Sequence, residues 1–133
     1  MSPELEMVLR LLLAAALGAI IGLERERERK PAGFRTHLLV CMGSALFTLA
    51  SIYGFGIGAD PARVAAGVVT GIGFLGAGTI LRSREGVLVG LTTAASIWAV
   101  AGIGMAAGAG LYILAPVAAA VILIILMIPH GRG

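Results

Sequence analysis

Apolar residues run in long blocks along this chain, broken by short charged or glycine-rich segments, and they do not alternate with polar residues as they would in a half-buried strand. The blocks occupy residues 11 to 23, 38 to 59, 64 to 81 and 87 to 128. From Gly86 to Pro129 there are 44 consecutive residues without Asp, Glu, Lys or Arg, whereas about 20 apolar residues suffice to cross a bilayer. As a single helix the last block would be about 63 Å long, roughly double the hydrocarbon thickness. It must therefore fold back once. The cluster Gly102, Gly104, Gly108 and Gly110 supplies the expected turn, with Tyr112 as an interfacial anchor just beyond it. The pattern predicts an all-α fold, a polytopic membrane helical bundle of about five transmembrane helices in a single domain over residues 1–133. The spans are expected at about 4–24, 37–58, 62–82, 90–108 and 111–128.

The first block is short, so its helix is expected to begin near Pro3 or Glu4, carrying Glu6 and Arg10 at its outer end. It should continue through the run from Glu24 to Lys30, because helical spacing sets Glu24 beside Arg27, and Glu26 beside Arg29 and Lys30. Pro31 disfavours helix at Lys30, and Gly33 opens the turn into the second span. A cleaved signal peptide is disfavoured: Glu4 and Glu6 stand against a single Arg10 where a basic n-region belongs.

Composition strengthens the membrane reading. The chain is 59% hydrophobic and only 13% charged, with 20 glycines among 133 residues, a balance that leaves too few charges to cover a small soluble domain. The net charge of +3 lies mostly in short loops, so it is read as orientation and lipid-surface charge, with no nucleic-acid partner expected. Arg25, Arg27, Arg29, Lys30, Arg35, Arg82, Arg84 and Arg132 fall on one side of the spans, and only Arg10 and Arg63 on the other. Eight against two places the N-terminus outside and the C-terminus in the cytoplasm. The lone Cys41 lies in an apolar run and reads as an inert small hydrophobe.

Candidate chemistry is sparse. The stretch Gly71-Ile72-Gly73-Phe74-Leu75-Gly76 spells a dinucleotide fingerprint, but that motif needs a strand before it and a parallel sheet around it, for which a membrane span has no room. Gly18 with Gly22, Gly67 with Gly71, and Gly104 with Gly108 have the spacing that lets helix backbones approach, and Ala14 extends the first stripe. The denser run Gly71, Gly73, Gly76 and Gly78 allows either packing or a broken third helix, the device many transporters use to build a site at the midplane. His37 and His130 are isolated and read as interfacial residues, no metal ligand set is identified, and no catalytic constellation or cofactor is expected. A transported Mg²⁺ would call for oxygen ligands, often carboxylates, and no acid falls at mid-membrane. Glu24 sits where the first helix leaves the hydrocarbon; it either pairs with Arg35 or Arg82 from the same face or reaches water beside Arg27. Thr92 and Thr93 stand at the start of the fourth span, Thr92 as a potential cap, and Trp98 lies two turns deeper, with its indole N–H expected to seek a Thr, Ser or carbonyl.

Four ordered segments, Gly18 to Glu26, Gly33 to Val40, Gly71 to Ile80 and Gly90 to Trp98, together resemble the membrane domain of the MgtC/SapB family. The resemblance runs from about residue 18 to residue 112. It implies a bacterial inner-membrane protein, linked in virulence-associated members to magnesium limitation and survival in host phagocytes. In one member it implies restraint of the membrane sector of the F-type ATP synthase; the family label also carries magnesium transport. By motif, the candidate functional set is Glu24, Arg25, Arg35, Thr36, Thr92, Thr93 and Trp98, with Gly18, Gly22, Gly71, Gly73, Gly76 and Gly78 for packing or helix breaking. Larger members continue into a soluble cytoplasmic domain, which is expected to be missing after Arg132-Gly133, and with it the roles housed there.

Three functions compete: a non-enzymatic membrane regulator acting on another complex, a transporter or channel with its site at the third span and the Glu24/Arg35 cluster, and a structural, lipid-sensing bundle. A homo-oligomer, most simply a dimer formed through a glycine stripe, is expected in each case.

Overall fold

The computed structural model describes residues 2–82 and 88–129. Arg84, Gly86, His130, Arg132 and Gly133 of the sequence argument lie outside them. Five helices follow one another: α1 (Pro3–Arg27), α2 (Phe34–Tyr53), α3 (Pro61–Ala77), α4 (Leu91–Gly108) and α5 (Leu114–Met127). Between α3 and α4 lies a two-stranded antiparallel ribbon, β1 (Leu81–Arg82) with β2 (Leu88–Val89), in which Leu81 pairs with Val89 and Arg82 with Leu88.

Helix starts follow local chemistry. The Leu5 amide donates to the Ser2 hydroxyl at 3.1 Å ahead of Pro3 in α1, and the Ala62 amide donates to Asp60 Oδ1 at 3.0 Å ahead of Pro61 in α3. Both pair a polar cap with a proline in the first turn. Helix ends depart from the sequence expectation. α1 stops at Arg27, before Lys30, and Glu26 turns forward so that its carboxylate accepts from the Phe34 amide at 3.0 Å, filling the free N-terminus of α2. A side chain on Gly33 would collide with that carboxylate. α2 runs three residues ahead of its expected start and ends at Tyr53 instead of residue 58. α3 ends at Ala77, not at residue 82, and passes unbroken through Gly71, Gly73 and Gly76, so of the two alternatives, packing or a broken helix, the break does not occur. α4 likewise runs through Gly102 and Gly104; the chain reverses at Gly110, whose φ of +85° favours glycine.

α1, α2 and α4 are long and apolar enough to cross a membrane, whereas α3, with 17 residues, and α5, with 14, are apolar but shorter. The core sits where α1, α2 and α4 meet, around Ala14, Ile21, Cys41, Ala45, Ile97 and Val100. Two glycine stripes make that meeting possible. A Cβ on Gly18 would lie 2.6 Å from the Cys41 Cβ, and one on Gly22 would lie 2.8 Å from the Phe34 carbonyl oxygen. On α4, a Cβ on Gly104 would strike the Cys41 carbonyl and one on Gly108 would come within 2.8 Å of the Ala45 carbonyl oxygen. Glycine is therefore needed for α1 and α4 to lie backbone to backbone against α2. Of the stripes that could join two copies, Gly18 with Gly22 and Gly104 with Gly108 are taken up inside the chain. Gly67, Gly71 and Gly73 on α3 meet nothing within 4 Å.

Successive helices alternate in direction, so the α1/α2 loop, the end of α3, the start of α4 and the end of α5 share one end of the bundle. At the opposite end Arg10 acts as a clasp. It donates to Glu6 Oε2 at 2.8 Å and to the Gly108 carbonyl at 3.1 Å, and lies 5.4 Å above the Tyr53 ring. The Tyr112 hydroxyl donates to the same Glu6 carboxylate, which holds its phenol above the usual range. Tyr112, expected as an interfacial anchor, thus ties the α4/α5 turn to α1.

Candidate functional site: a buried polar cluster at the α1/α2 end

The face of α1 that carries Ala14, Leu17, Gly18, Ile21 and Gly22 into the core continues to Arg25, so helical geometry directs a guanidinium inward. Arg25 is 2% exposed. It donates from Nε to Glu24 Oε1 at 2.6 Å and from Nη2 to Glu24 Oε2 at 2.9 Å, and Nη2 also reaches the Leu126 carbonyl of α5 at 3.3 Å. Both carboxylate oxygens are engaged by one fork, the strongest arrangement open to such a pair. Nη1 is buried with no partner among the described residues.

His37 lies beside this pair in the first turn of α2, with 0% exposure. The Gly33 carbonyl, 2.9 Å from Nδ1, can only accept, so Nδ1 carries the hydrogen. Nε2 then faces Ser96 Oγ of α4 at 2.8 Å, and that oxygen is also 2.8 Å from the Thr93 carbonyl. With a neutral ring the Ser96 hydroxyl donates to Nε2. With a charged ring Nε2 donates to the hydroxyl, which passes its own hydrogen to Thr93. The hydroxyl direction thus reports the charge state of the imidazole. Deeper along the same seam Ser44 donates to the Ala101 carbonyl at 2.6 Å, and Thr48 to the Ser44 carbonyl at 2.8 Å.

The structure brings together only part of the expected set. Glu24 and Arg25 pair with each other, and Thr93 joins through Ser96. Arg35 is exposed and makes no ion pair with Glu24 among the described residues. The expected Glu24 and Arg35 partnership is replaced by Glu24 and Arg25, because Arg25 is on the inward face and Arg35 is not. Thr36 is half-buried, and Thr92 is exposed and caps nothing: the cap of α4 is Gly90, at a φ of 89° and without a side-chain bond. Trp98 is 55% exposed on the outer face of α4, and the expected hydrogen bond from its indole N–H to a Thr, Ser or carbonyl is not found among the described residues. Gly76 packs against Ala94 and Gly78 closes α3, while Gly71 and Gly73 face open space.

Sequence reasoning missed His37 and Ser96. The signal lay in spacing: His37, Cys41, Ser44, Ala45, Thr48 and Ser51 recur at helical intervals on α2 and are all buried. A stripe of small and polar residues on an otherwise aliphatic helix marks the face turned to protein. Among the described residues no three His, Cys, Asp or Glu side chains gather as a metal-ligating group.

The family model described as MgtC family matches residues 11–130. The chain is 48% identical over 132 residues to a protein of Escherichia coli K12 called putative magnesium transporter YhiD, covering 94% of this chain and 61% of that protein. It is 42% identical over 114 residues to protein SapB of Bacillus subtilis, covering 80% of this chain and 49% of that one. It is 50% identical over 105 residues to protein MgtC of Salmonella typhimurium, covering 77% and 43%. The chain therefore spans less than two thirds of the length of each of these relatives. No solved structure matches it significantly. Its apolar helices, its glycine-stitched core and this match along nearly its whole length lead to one conclusion: the chain belongs to the MgtC family of membrane proteins.

Proposed function

We propose that the chain is a non-enzymatic regulator in the bacterial inner membrane, linked to magnesium limitation or membrane energetics, that acts by contact with another membrane complex. The observation that carries this reading is the way the bundle is closed. α1, α2 and α4 meet backbone to backbone at Gly18, Gly104 and Gly108, and at the α1/α2 end the interior holds a buried guanidinium in place of a set of oxygen ligands. A hydrated cation favours carboxylates and retained waters; Arg25 opposes it. The outward surface instead offers contact, with Gly67, Gly71 and an 85% exposed Phe74 on α3. A second copy or another complex engages the protein there. The family resemblance makes the membrane sector of the F-type ATP synthase the first complex to test.

The competing reading, a transporter, is supported by the name of the E. coli relative. Proteoliposomes carrying a Mg²⁺ indicator separate the two. The expected result is no protein-dependent Mg²⁺ entry, together with altered growth at low magnesium when the gene is deleted. Saturable, protein-dependent Mg²⁺ entry would establish the transporter instead.

Orientation belongs to the same proposal: the basic α1/α2 loop lies in the cytoplasm and the N-terminus outside. In a Cys41→Ala background, an impermeant thiol reagent added to intact cells is expected to label Ser2→Cys and to leave Arg29→Cys unlabelled until the membrane is opened. Labelling of position 29 in intact cells would reverse the orientation.

A further inference from the structure

α5 is seated unevenly on the bundle. Its two buried residues, Ala115 and Ala119, both lie in its first half, and from Val121 onward no residue of the helix is buried. The second half rests on the core through Ile122, Leu123 and Leu126, each only half-buried. Among the described residues its one side-chain hydrogen bond is the 3.3 Å contact from Arg25 Nη2 to the Leu126 carbonyl, which belongs to the last turn and has no partner within the helix.

The other flank of this half faces a hollow. About 420 Å³ separates Ile122, Ile125 and Leu126 of α5 from the first turns of α4, where Ala95, Ser96 and Ale99 form the middle of the wall. Their side chains are small, so nothing bulky there holds the two helices apart. On the α1 side, the Arg25 guanidinium lies beneath Leu126, neutralised by Glu24 and 2% exposed, and its Nη1 has no acceptor among the described residues. A buried N–H without a partner is costly, and contact with water removes that cost. Moving the end of α5 across the hollow would give up the bond to Leu126, let water reach Nη1 and pack Ile122 and Ile125 against the alanines of α4. Each seat therefore gains what the other lacks.

We propose that residues 121–127 of α5 form a lid over the Glu24/Arg25 pair, hinged near Ala119, with the α4/α5 hollow as its second seat. In the closed seat the Leu126 carbonyl lies on Arg25; in the open seat the lid lies against Ala95 and Ala99, and Arg25 meets water at that end of the bundle. The charge on Glu24 sets the balance, because a neutralised pair tolerates cover and a lone guanidinium does not. This inference goes beyond the regulator reading and stands without it.

Distances between paired spin labels on the full chain in phosphatidylcholine bilayers, in a Cys41→Ala background, read the lid directly. Labels at Arg27→Cys and Met127→Cys, both exposed positions, mark the ends of α1 and α5. A second pair at Ser2→Cys and Ile113→Cys, also exposed, marks the opposite end of the bundle. Two distances are expected for the first pair and one for the second. Ala95→Phe, at an exposed position whose new ring fills the hollow, should abolish the longer distance, whereas Glu24→Gln should make it the main one. A single distance for the first pair without further substitution would overturn the proposal, since α5 would have one seat and the hollow would merely take a lipid tail. A longer distance that survives Ala95→Phe would overturn it as well, as would a second distance appearing equally in the control pair, the mark of general loosening. Unchanged populations in a folded Glu24→Gln variant would remove the pair from control of the lid; the comparison with Ala95→Phe decides the two seats even where Glu24→Gln does not fold.

Discussion

Gly104→Leu is expected to destabilise the protein by more than about 3 kcal/mol, beyond the usual range for overpacking a core. The reason is the identity of the obstacle. A Cβ at this position runs into the Cys41 carbonyl, and a backbone group inside α2 has no alternative rotamer to adopt. The two helices must separate, and the hydrogen bond from Ser44 to the Ala101 carbonyl, which spans the same seam, is lost with the contact. Gly102→Leu provides the control two residues away. That position is exposed and meets nothing within 4 Å, so the change there should stay within about 0.5 kcal/mol, as is usual for surface substitutions. Thermal melting of the two variants in one detergent decides the matter; similar midpoints would show that close approach of α2 and α4 is not what holds the bundle together.

Glu24→Gln carries the second large effect, a loss of about 3 to 5 kcal/mol, the range for breaking a buried ion pair by removing one partner. The substitution removes the carboxylate charge and one of the two acceptors, leaving a guanidinium at 2% exposure with at most a neutral amide oxygen and the Leu126 carbonyl to accept from it. Arg25→Gln should be milder, because Glu24 is less deeply buried than its partner and can turn toward water. Replacing both residues should be less damaging than the sum of the single changes, since no orphaned charge remains. Arg35→Gln, at an exposed position, should stay near zero. Additive single and double effects at 24 and 25, read by thermal unfolding, would show that the pair is not coupled.

Much of this architecture was legible because membrane helices announce themselves by composition. The long uncharged stretch after Gly86 had to reverse by the arithmetic of helix rise, and it does so at Gly110, the one member of the predicted glycine cluster with a left-handed backbone. The paired glycines on α1 and α4 were recognisable as packing devices, but spacing alone did not say whether they serve the chain itself or a second copy. That depends on which faces α2 turns to each, a long-range property. The polar site was half legible. Glu24 stood out as an acid at an expensive depth, yet neighbouring positions on a helix do not normally face each other, so its own successor, Arg25, was overlooked as its partner. Arg25 reaches it because the long guanidinium stem folds back from the inward face. His37 was read as an isolated interfacial residue for want of a nearby ligand; its partner Ser96 is 59 positions away. Only the helical register that His37 shares with Cys41 and Ser44 could have placed it inside.

The bond between Arg25 and the Leu126 carbonyl joins the first helix to the last across 101 positions of sequence. A chain emerging from the ribosome delivers α1 to the bilayer long before α5 exists, so during synthesis the guanidinium has Glu24 but not yet the roof that later seals it from water. Until then it must stay at the headgroup level, where its long stem can reach the aqueous phase. α1 therefore settles to its final depth and rotation only when the last segment docks. Of the five helices described, α1, made first, is expected to be fixed in place only once α5 has docked against it.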